Sequence, residues 1–360
     1  MMSRVLSVLS APASASGRLG SRSILLLIVL ALAQIVVGGF GFVDGRTLQA
    51  LFADPSGRSV APSSQYLLDS PLPIAIGHFG GVRSLAGVAA LSAFYAALPA
   101  LTLAALWLTR KLTILQALSV ASVFCVLPTW KVLTQYLGKP DGLVILLVSL
   151  AVLSGRRFLT LLSTAVLVTA HVQMGLATGL MLICLDWPER QRRLAAAAGC
   201  AAGFAAARLL QSALGVSRHQ GRFDYALTFW ETGGSGMSPW LVVAIVGALG
   251  GAWFFVCQKW KGATGSDRLR LCGSLLFAAA LSIIAFDNSR DMYLLCLPAV
   301  LWSVREKIWS GRIHPLSLGV VALTLALIPL PDIVAGGIRR HDIEFLPAPS
   351  PTGRGLGTAP

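Results

Sequence analysis

The sequence predicts an all-α fold, a polytopic membrane helical bundle of about ten or eleven hydrophobic segments. Three observations carry that expectation. Of 360 residues, 55% are hydrophobic and only 12% charged, with mean hydropathy +0.74, whereas soluble domains carry about twice that charge. Apolar runs recur, many near the length that crosses about 30 Å of hydrocarbon. The basic residues gather in alternate connections between those runs.

Taken in order, residues 1–22 are rich in Ala and Ser with scattered Arg and read as a cytoplasmic N-terminal segment. Segment 23–43 is long for the apolar region of a signal peptide and ends without a small-residue cleavage site, so it reads as an uncleaved first helix. The connection 44–83 is the longest and mixes Pro and Ser runs with apolar patches at 48–52, 66–68 and 72–76. Those patches predict that part of it folds onto the bundle or the membrane surface. Segments 84–109, 112–130 and 142–154 follow, separated by Arg110 and Lys111 and then by the turn string before residue 142.

The stretch 158–185 is 28 apolar residues broken by Ala170-His171-Val172-Gln173. One long helix there would carry the basic cluster at 190–193 to the opposite side and invert everything after it. Two short segments, 158–170 and 172–185, meeting near His171 avoid that inversion. Segments 194–216, 238–258, 271–286, 292–303 and 315–331 complete the set, with a second polar break at Asp287-Asn288-Ser289-Arg290-Asp291. Non-helical backbone at membrane depth survives only where protein buries it or a wet cavity faces it. Residues 23–338 therefore read as one transmembrane domain, and the Pro/Gly-rich 339–360 as a disordered tail.

The net charge of +14 raises the question of a nucleic-acid partner. Its distribution answers no, because no strip of bases with interleaved aromatics exists. One set of connections holds 17 basic residues against four acids, Asp186, Glu189, Asp267 and Glu306, while the other holds 11 of each. The positive-inside rule places the first set, and the N-terminus, in the cytoplasm. A multi-pass place in a cell membrane is expected, and the strings around residues 141, 171 and 290, which resemble those of bacterial membrane proteins, imply a bacterial inner membrane. The six cysteines all lie in apolar segments without Cys-x-x-Cys spacing, so neither a zinc site nor a disulfide framework is indicated. No Walker loop, Rossmann fingerprint, Gly-x-Ser-x-Gly elbow or His-Glu-x-x-His is present.

Eleven of the fifteen acids fall on the non-cytoplasmic face. Candidate acids are Asp44 just beyond the first segment, Asp69 in the long loop, Asp141 in the string Gly138-Lys139-Pro140-Asp141-Gly142, and Asp287 at the second break. Candidate substrate-binding groups are Lys139, His171, Gln173, Arg290 and, in reserve, Arg222. Ionisable groups near membrane depth cost several kcal/mol unless paired or wet, which makes them functional candidates. Plainer roles exist for each. Asp44 could only end a helix, Asp141 could only cap the next one, His171 could be an interfacial histidine, and Asp287 with Arg290 could only staple the break.

These features resemble the C-type (GT-C) integral-membrane glycosyltransferases. The acid beyond the first helix (Phe42-Val43-Asp44-Gly45-Arg46), the long first outer loop, the short or broken helices and the strings around Asp141, His171 and Arg290 carry the resemblance. It covers most of the chain but departs in lacking a paired Asp-Glu after the first helix and a sizeable C-terminal soluble domain. It implies transfer of a sugar from a polyprenyl-phosphate donor to a glycan or lipid acceptor at the outer face. Asp44, then Asp69, best match the family's essential acid, with Lys139, His171 and Arg290 as cations for the leaving phosphate. Membrane lipid is the other expected partner. The cofactor is left unknown, with a divalent cation as one option and no metal ligands assigned. A secondary transporter or lipid-linked-sugar flippase is the main alternative, and a non-catalytic partner of a cell-envelope complex the third.

Overall fold

A computed structural model describes residues 18–38, 41–42, 44–60, 62–110, 113–217, 247–284, 288–310, 332–334 and 337–339. These are almost wholly helical. The helices are α1 (Arg18–Gly38), α2 (Gly45–Ala53), α3 (Pro71–Phe79), α4 (Leu85–Arg110), α5 (Ile114–Val126), α6 (Thr129–Gln135) and α7 (Asp141–Leu153). Then follow α8 (Arg157–Ala170), α9 (Val172–Leu185), α10 (Arg190–Ala213), α11 (Trp253–Gly262), α12 (Gly265–Ile284) and α13 (Asn288–Trp309). A 3-10 helix covers Pro62–Asp69, and two three-residue antiparallel strands, Asp332–Val334 and Gly337–Arg339, pair near the C-terminus.

The apolar stretch around His171 folds back on itself through a single non-helical residue. His171 ends α8, its N–H donating to Leu167 O at 2.9 Å, and begins α9, its carbonyl accepting from Gly175 N at 2.7 Å. Its backbone is extended there, and its Nδ1 accepts from Met174 N at 3.5 Å, the place an Asn or Asp cap would take. Gly175 lies against Val168 and Gly179 beside Thr164, so α8 and α9 run antiparallel.

α10 then packs on α8 more extensively than any other described pair of elements. Gly199 sits against Leu161, Thr164 and Ala165, and Gly203 against Ala165 and Val168, which makes the two helices parallel. A Cβ on Gly199 would come within 2.6 Å of the Leu161 carbonyl, and one on Gly203 would press on that of Ala165. Two small residues four apart let the helix backbones approach closely.

α7 and α13 form the buried centre and are tied by charge at both ends. At one end Arg290 of α13 pairs with Asp141 of α7. At the other, Arg192 donates to the last carbonyls of α7, Ala151 at 3.0 Å and Val152 at 3.4 Å, and to Asp186 at 2.9 Å. Arg305 of α13 joins the same knot through Asp186 at 3.3 Å and Glu189 at 2.8 Å. Burial pushes the Asp186 carboxyl above its usual range in spite of the two arginines. Lys259 with Glu306 and Arg270 with Asp267 lie in the same set of connections. Every ion pair among the described residues therefore joins groups that the sequence assigns to one side.

Around their apolar core, the described helices also leave large apolar side chains exposed. Leu25, Ile28, Val29, Leu32 and Val36 form an exposed stripe on α1, and Phe94, Phe158, Leu162, Leu180, Leu209 and Leu276 are exposed on other helices. On the buried side of α1, Gln34 donates to the Cys125 and Leu127 carbonyls at 2.6 and 2.9 Å and accepts from Trp130 N at 3.1 Å. Those are the backbone groups released where α5 and α6 bend by 59°. One helix among the described residues, α10, is long and apolar enough by itself to cross a membrane; α5 and α6 pass the same test only as a bent pair. Shorter apolar helices cover Leu25–Val36, Leu85–Leu101, Asp141–Leu153, Arg157–Ala170 and Val172–Leu185.

The long connection folds as a small layer with its own core. Leu48, Leu51, Phe52, Val60, Leu67, Leu68, Ile74 and Ala75 pack together against Val88 and Leu214. Gln211 of α10 donates to the Leu68 carbonyl at 2.9 Å, and Ser217 N to that of Ser56 at 2.9 Å. Gly77 lies flat on the Phe52 ring, where a Cβ would approach to 2.5 Å.

Candidate functional site

The site begins with a short parallel contact between distant segments. Gly41 N donates to Thr134 O at 3.0 Å, and Phe42 bridges Leu137 in parallel register. Gly41 is required by the approach, since a Cβ would stand 2.5 Å from the Gln135 carbonyl. Two residues further along each segment lie Asp44 and Lys139, so the bridge brings an acid and a base into one neighbourhood although 95 positions separate them in the chain.

Asp44 is the one non-glycine residue with positive φ among those described (φ 64°, ψ 10°). L-residues avoid this region, Asp and Asn least. It precedes α2 without capping it by side chain, and its carboxylate accepts a hydrogen bond from the Tyr66 hydroxyl instead. Tyr66 comes from the 3-10 helix of the folded loop. The Lys139 ammonium stands 5.4 Å from the centroid of Tyr66 and 5.4 Å from that of Tyr136, within cation–π range of both. Gly138, at φ 107°, makes the turn that delivers Lys139 there.

Tyr136 also meets Arg290, whose guanidinium carbon stands 5.6 Å from the ring centroid. Arg290 grips Asp141 with two nitrogens, Nε at 2.6 Å and Nη2, and Asp291 with a third, Nη1 at 2.9 Å. Asp141 is 1% exposed and Arg290 5%. Such a pair stands only because the fork geometry satisfies both charges; removing one partner typically costs about 3–5 kcal/mol. Asp141 is the first residue of α7, where a carboxylate also answers the helix dipole. Gly142 beside it touches the Tyr95 carbonyl with no space for a Cβ. Below, Thr129 and Tyr293 share a buried hydrogen bond of 2.9 Å.

Four of the nine candidates, Asp44, Lys139, Asp141 and Arg290, are thus joined in one chain of contacts through Tyr66 and Tyr136. They divide by burial. Asp141 and Arg290 are enclosed and committed to each other, while Asp44 and Lys139 are only half-buried. Asp69 ends the same 3-10 helix as Tyr66 and is buried in the folded loop. His171 serves the hairpin, and Gln173 is exposed in the first turn of α9. Asp287 and Arg222 lie outside the described residues.

The two tyrosines are the members that sequence reasoning missed. Tyr66 sat in a patch read only as apolar, and Tyr136 immediately precedes the turn string Leu137-Gly138-Lys139. Among the described residues no group of three or more His, Cys, Asp or Glu side chains could hold a metal ion. What the arrangement offers is a half-buried carboxylate with a phenol donor, and an ammonium within reach of the same phenol ring. The first can accept a proton and the second can meet an anion. No family model, curated protein or solved structure matches this chain, so the assignment of the site rests on its own geometry.

Proposed function

We propose that this chain is a polytopic membrane glycosyltransferase, similar in plan to the C-type enzymes, that passes a sugar from a polyprenyl-phosphate donor to a glycan or lipid acceptor at the outer face. The observation that carries the reading is the shared use of Tyr66 by Asp44 and Lys139. Asp44 is held in a disfavoured backbone conformation and does not spend its carboxylate on capping its own helix. Strain of that kind is kept where a side chain must be aimed. In this reading Asp44 takes the proton from the acceptor hydroxyl as that oxygen attacks the anomeric carbon. Lys139 meets the carrier phosphate as it leaves with the bonding electrons. Arg290 and Asp141 hold the wall, because the guanidinium nitrogens they use are already committed to carboxylates.

The exposed apolar stripe of α1 and the clamped backbone at the α5–α6 bend support placement in a bilayer, with the two sets of ion pairs at its two surfaces. That bend is also the observation that favours the second reading, a transporter or flippase for a lipid-linked precursor, since such proteins build their sites on discontinuous helices.

The test uses the purified chain in nanodiscs with a polyprenyl-phosphate-sugar donor. Asp44→Asn is expected to lower turnover about 10²–10⁴-fold with donor binding retained. Lys139→Ala is expected to weaken donor binding and slow transfer together. Full activity in Asp44→Asn overturns the base assignment. Movement of the donor across the bilayer by the wild type, with no sugar transferred, moves the assignment to transport.

A further inference from the structure

The end of the bundle opposite the Asp44 site carries a cluster of arginines that nothing in the proposed chemistry uses. The α7–α8 turn contributes Arg156 and Arg157, and the start of α10 contributes Arg190 and Arg193. The acids nearest in sequence are already engaged: Asp186 by Arg192 and Arg305, Glu189 by Arg305 at 2.8 Å with Arg192 at 3.7 Å. None of the four arginines pairs with a carboxylate among the described residues.

The two turns are fixed as one surface. Arg157 Nη1 reaches the Gln191 side-chain carbonyl at 3.3 Å. Close packing through Gly199 and Gly203 holds α8 and α10 parallel, so both helices present their N-termini at this corner. Close-packed helix axes run roughly 8 Å apart. Neither start has a side-chain cap, at Arg156 or at Glu189, which leaves the positive ends of two dipoles beside the arginines. The same corner exposes apolar surface beside the charge. Trp187 is 59% exposed with Arg193 stacked 4.3 Å from its ring centroid, and Phe158 is 67% exposed.

Resting on the bilayer reading above, we infer that this corner binds the headgroup of an anionic phospholipid carrying two phosphates, one at each helix start, in the cytoplasmic leaflet. Each phosphate meets an arginine pair and a helix N-terminus, by charge-assisted hydrogen bonds that suit the guanidinium fork. Trp187 and Phe158 lie against the upper acyl chains, where an aromatic belt sits. A headgroup with one phosphate can satisfy only one of the two turns.

The experiment is native mass spectrometry of the full chain, delipidated in detergent, with added diphosphatidylglycerol, phosphatidylglycerol at twice the molar amount, or phosphatidylcholine. The two-phosphate lipid is expected to form the persistent adduct. Replacing all four arginines by Gln is expected to weaken that adduct by about tenfold or more. Lys261→Gln/Arg268→Gln, elsewhere among the same basic connections, is expected to leave it intact, and an unchanged thermal midpoint in phosphatidylcholine shows that the fourfold variant folds. Equal retention of the one-phosphate lipid, or an undiminished adduct in the fourfold variant, overturns the inference and leaves the bilayer reading standing. Recovery of the chain from cells without detergent, in the soluble fraction, overturns both.

Discussion

Asp44 shows how a single backbone angle separates aiming from stability. Its left-handed conformation costs roughly 1 kcal/mol, and glycine there would relieve that strain while losing a similar amount in chain entropy. Asp44→Gly is therefore expected to unfold within about 1 kcal/mol of the wild type while losing transfer, a pairing of outcomes that thermal melts and the donor assay read separately. Arg290 behaves in the opposite way. Arg290→Ala strands Asp141 in a buried position and is expected to cost about 3–5 kcal/mol, whereas the apolar double replacement Arg290→Met/Asp141→Leu recovers the part due to Asp141, the bond to Asp291 being lost in both variants. Recovery in the double variant, measured by thermal melts in detergent, distinguishes a wall from a catalytic group. Asp141 and Arg290 were each legible in the sequence as unusual charges in apolar surroundings. Their partnership was not, since 149 positions separate them and nothing in either neighbourhood encodes the other.

At the level of the element, the His171 hairpin and the α8–α10 contact follow from local chemistry of different visibility. The break at His171 was readable because a polar pair interrupted an apolar run and charge placement required a reversal. The role of the imidazole as a helix cap was not, because His is an uncommon cap. Substitution tests this directly: His171→Ala is expected to lose about 1 kcal/mol, and His171→Asn to keep it. The Gly199–Gly203 spacing drew no expectation from the sequence, because small residues four apart in an Ala-rich segment do not say what packs against them. Gly203→Leu is expected to force α10 away from α8 and lower the thermal midpoint, at a cost of about 1–3 kcal/mol from overpacking. Ala202→Leu on the exposed side of the same helix serves as its neutral control. Gln34 had no sequence signature at all, since the backbone groups it satisfies arise only when α5 bends away from α6.

Across the bundle, the ion pairs among the described residues form within each set of connections, the pattern expected if the two sets lie at two surfaces a helix length apart. Reporter fusions after Arg157, Arg193 and Arg270 are accordingly expected to signal cytoplasm, and fusions after Arg83, Gly221 and Arg340 the outside. A cytoplasmic signal after Gly221 would contradict the antiparallel course of α8 and α9. The distance between the surfaces has a consequence of its own. α7, α8 and α9 contain 13, 14 and 14 residues, a rise of roughly 20 Å against about 30 Å of hydrocarbon. In a bilayer this mismatch is met by thinning of the lipid beside the hairpin, where α8 shows Phe158 and Leu162 outward. Headgroups on the two leaflets would then dip toward each other along this one flank, so that a carrier phosphate travelling in the outer leaflet descends as it nears the protein. Shortening the acyl chains of the nanodisc lipids should accordingly raise the rate of donor loading, and lengthening them should slow it.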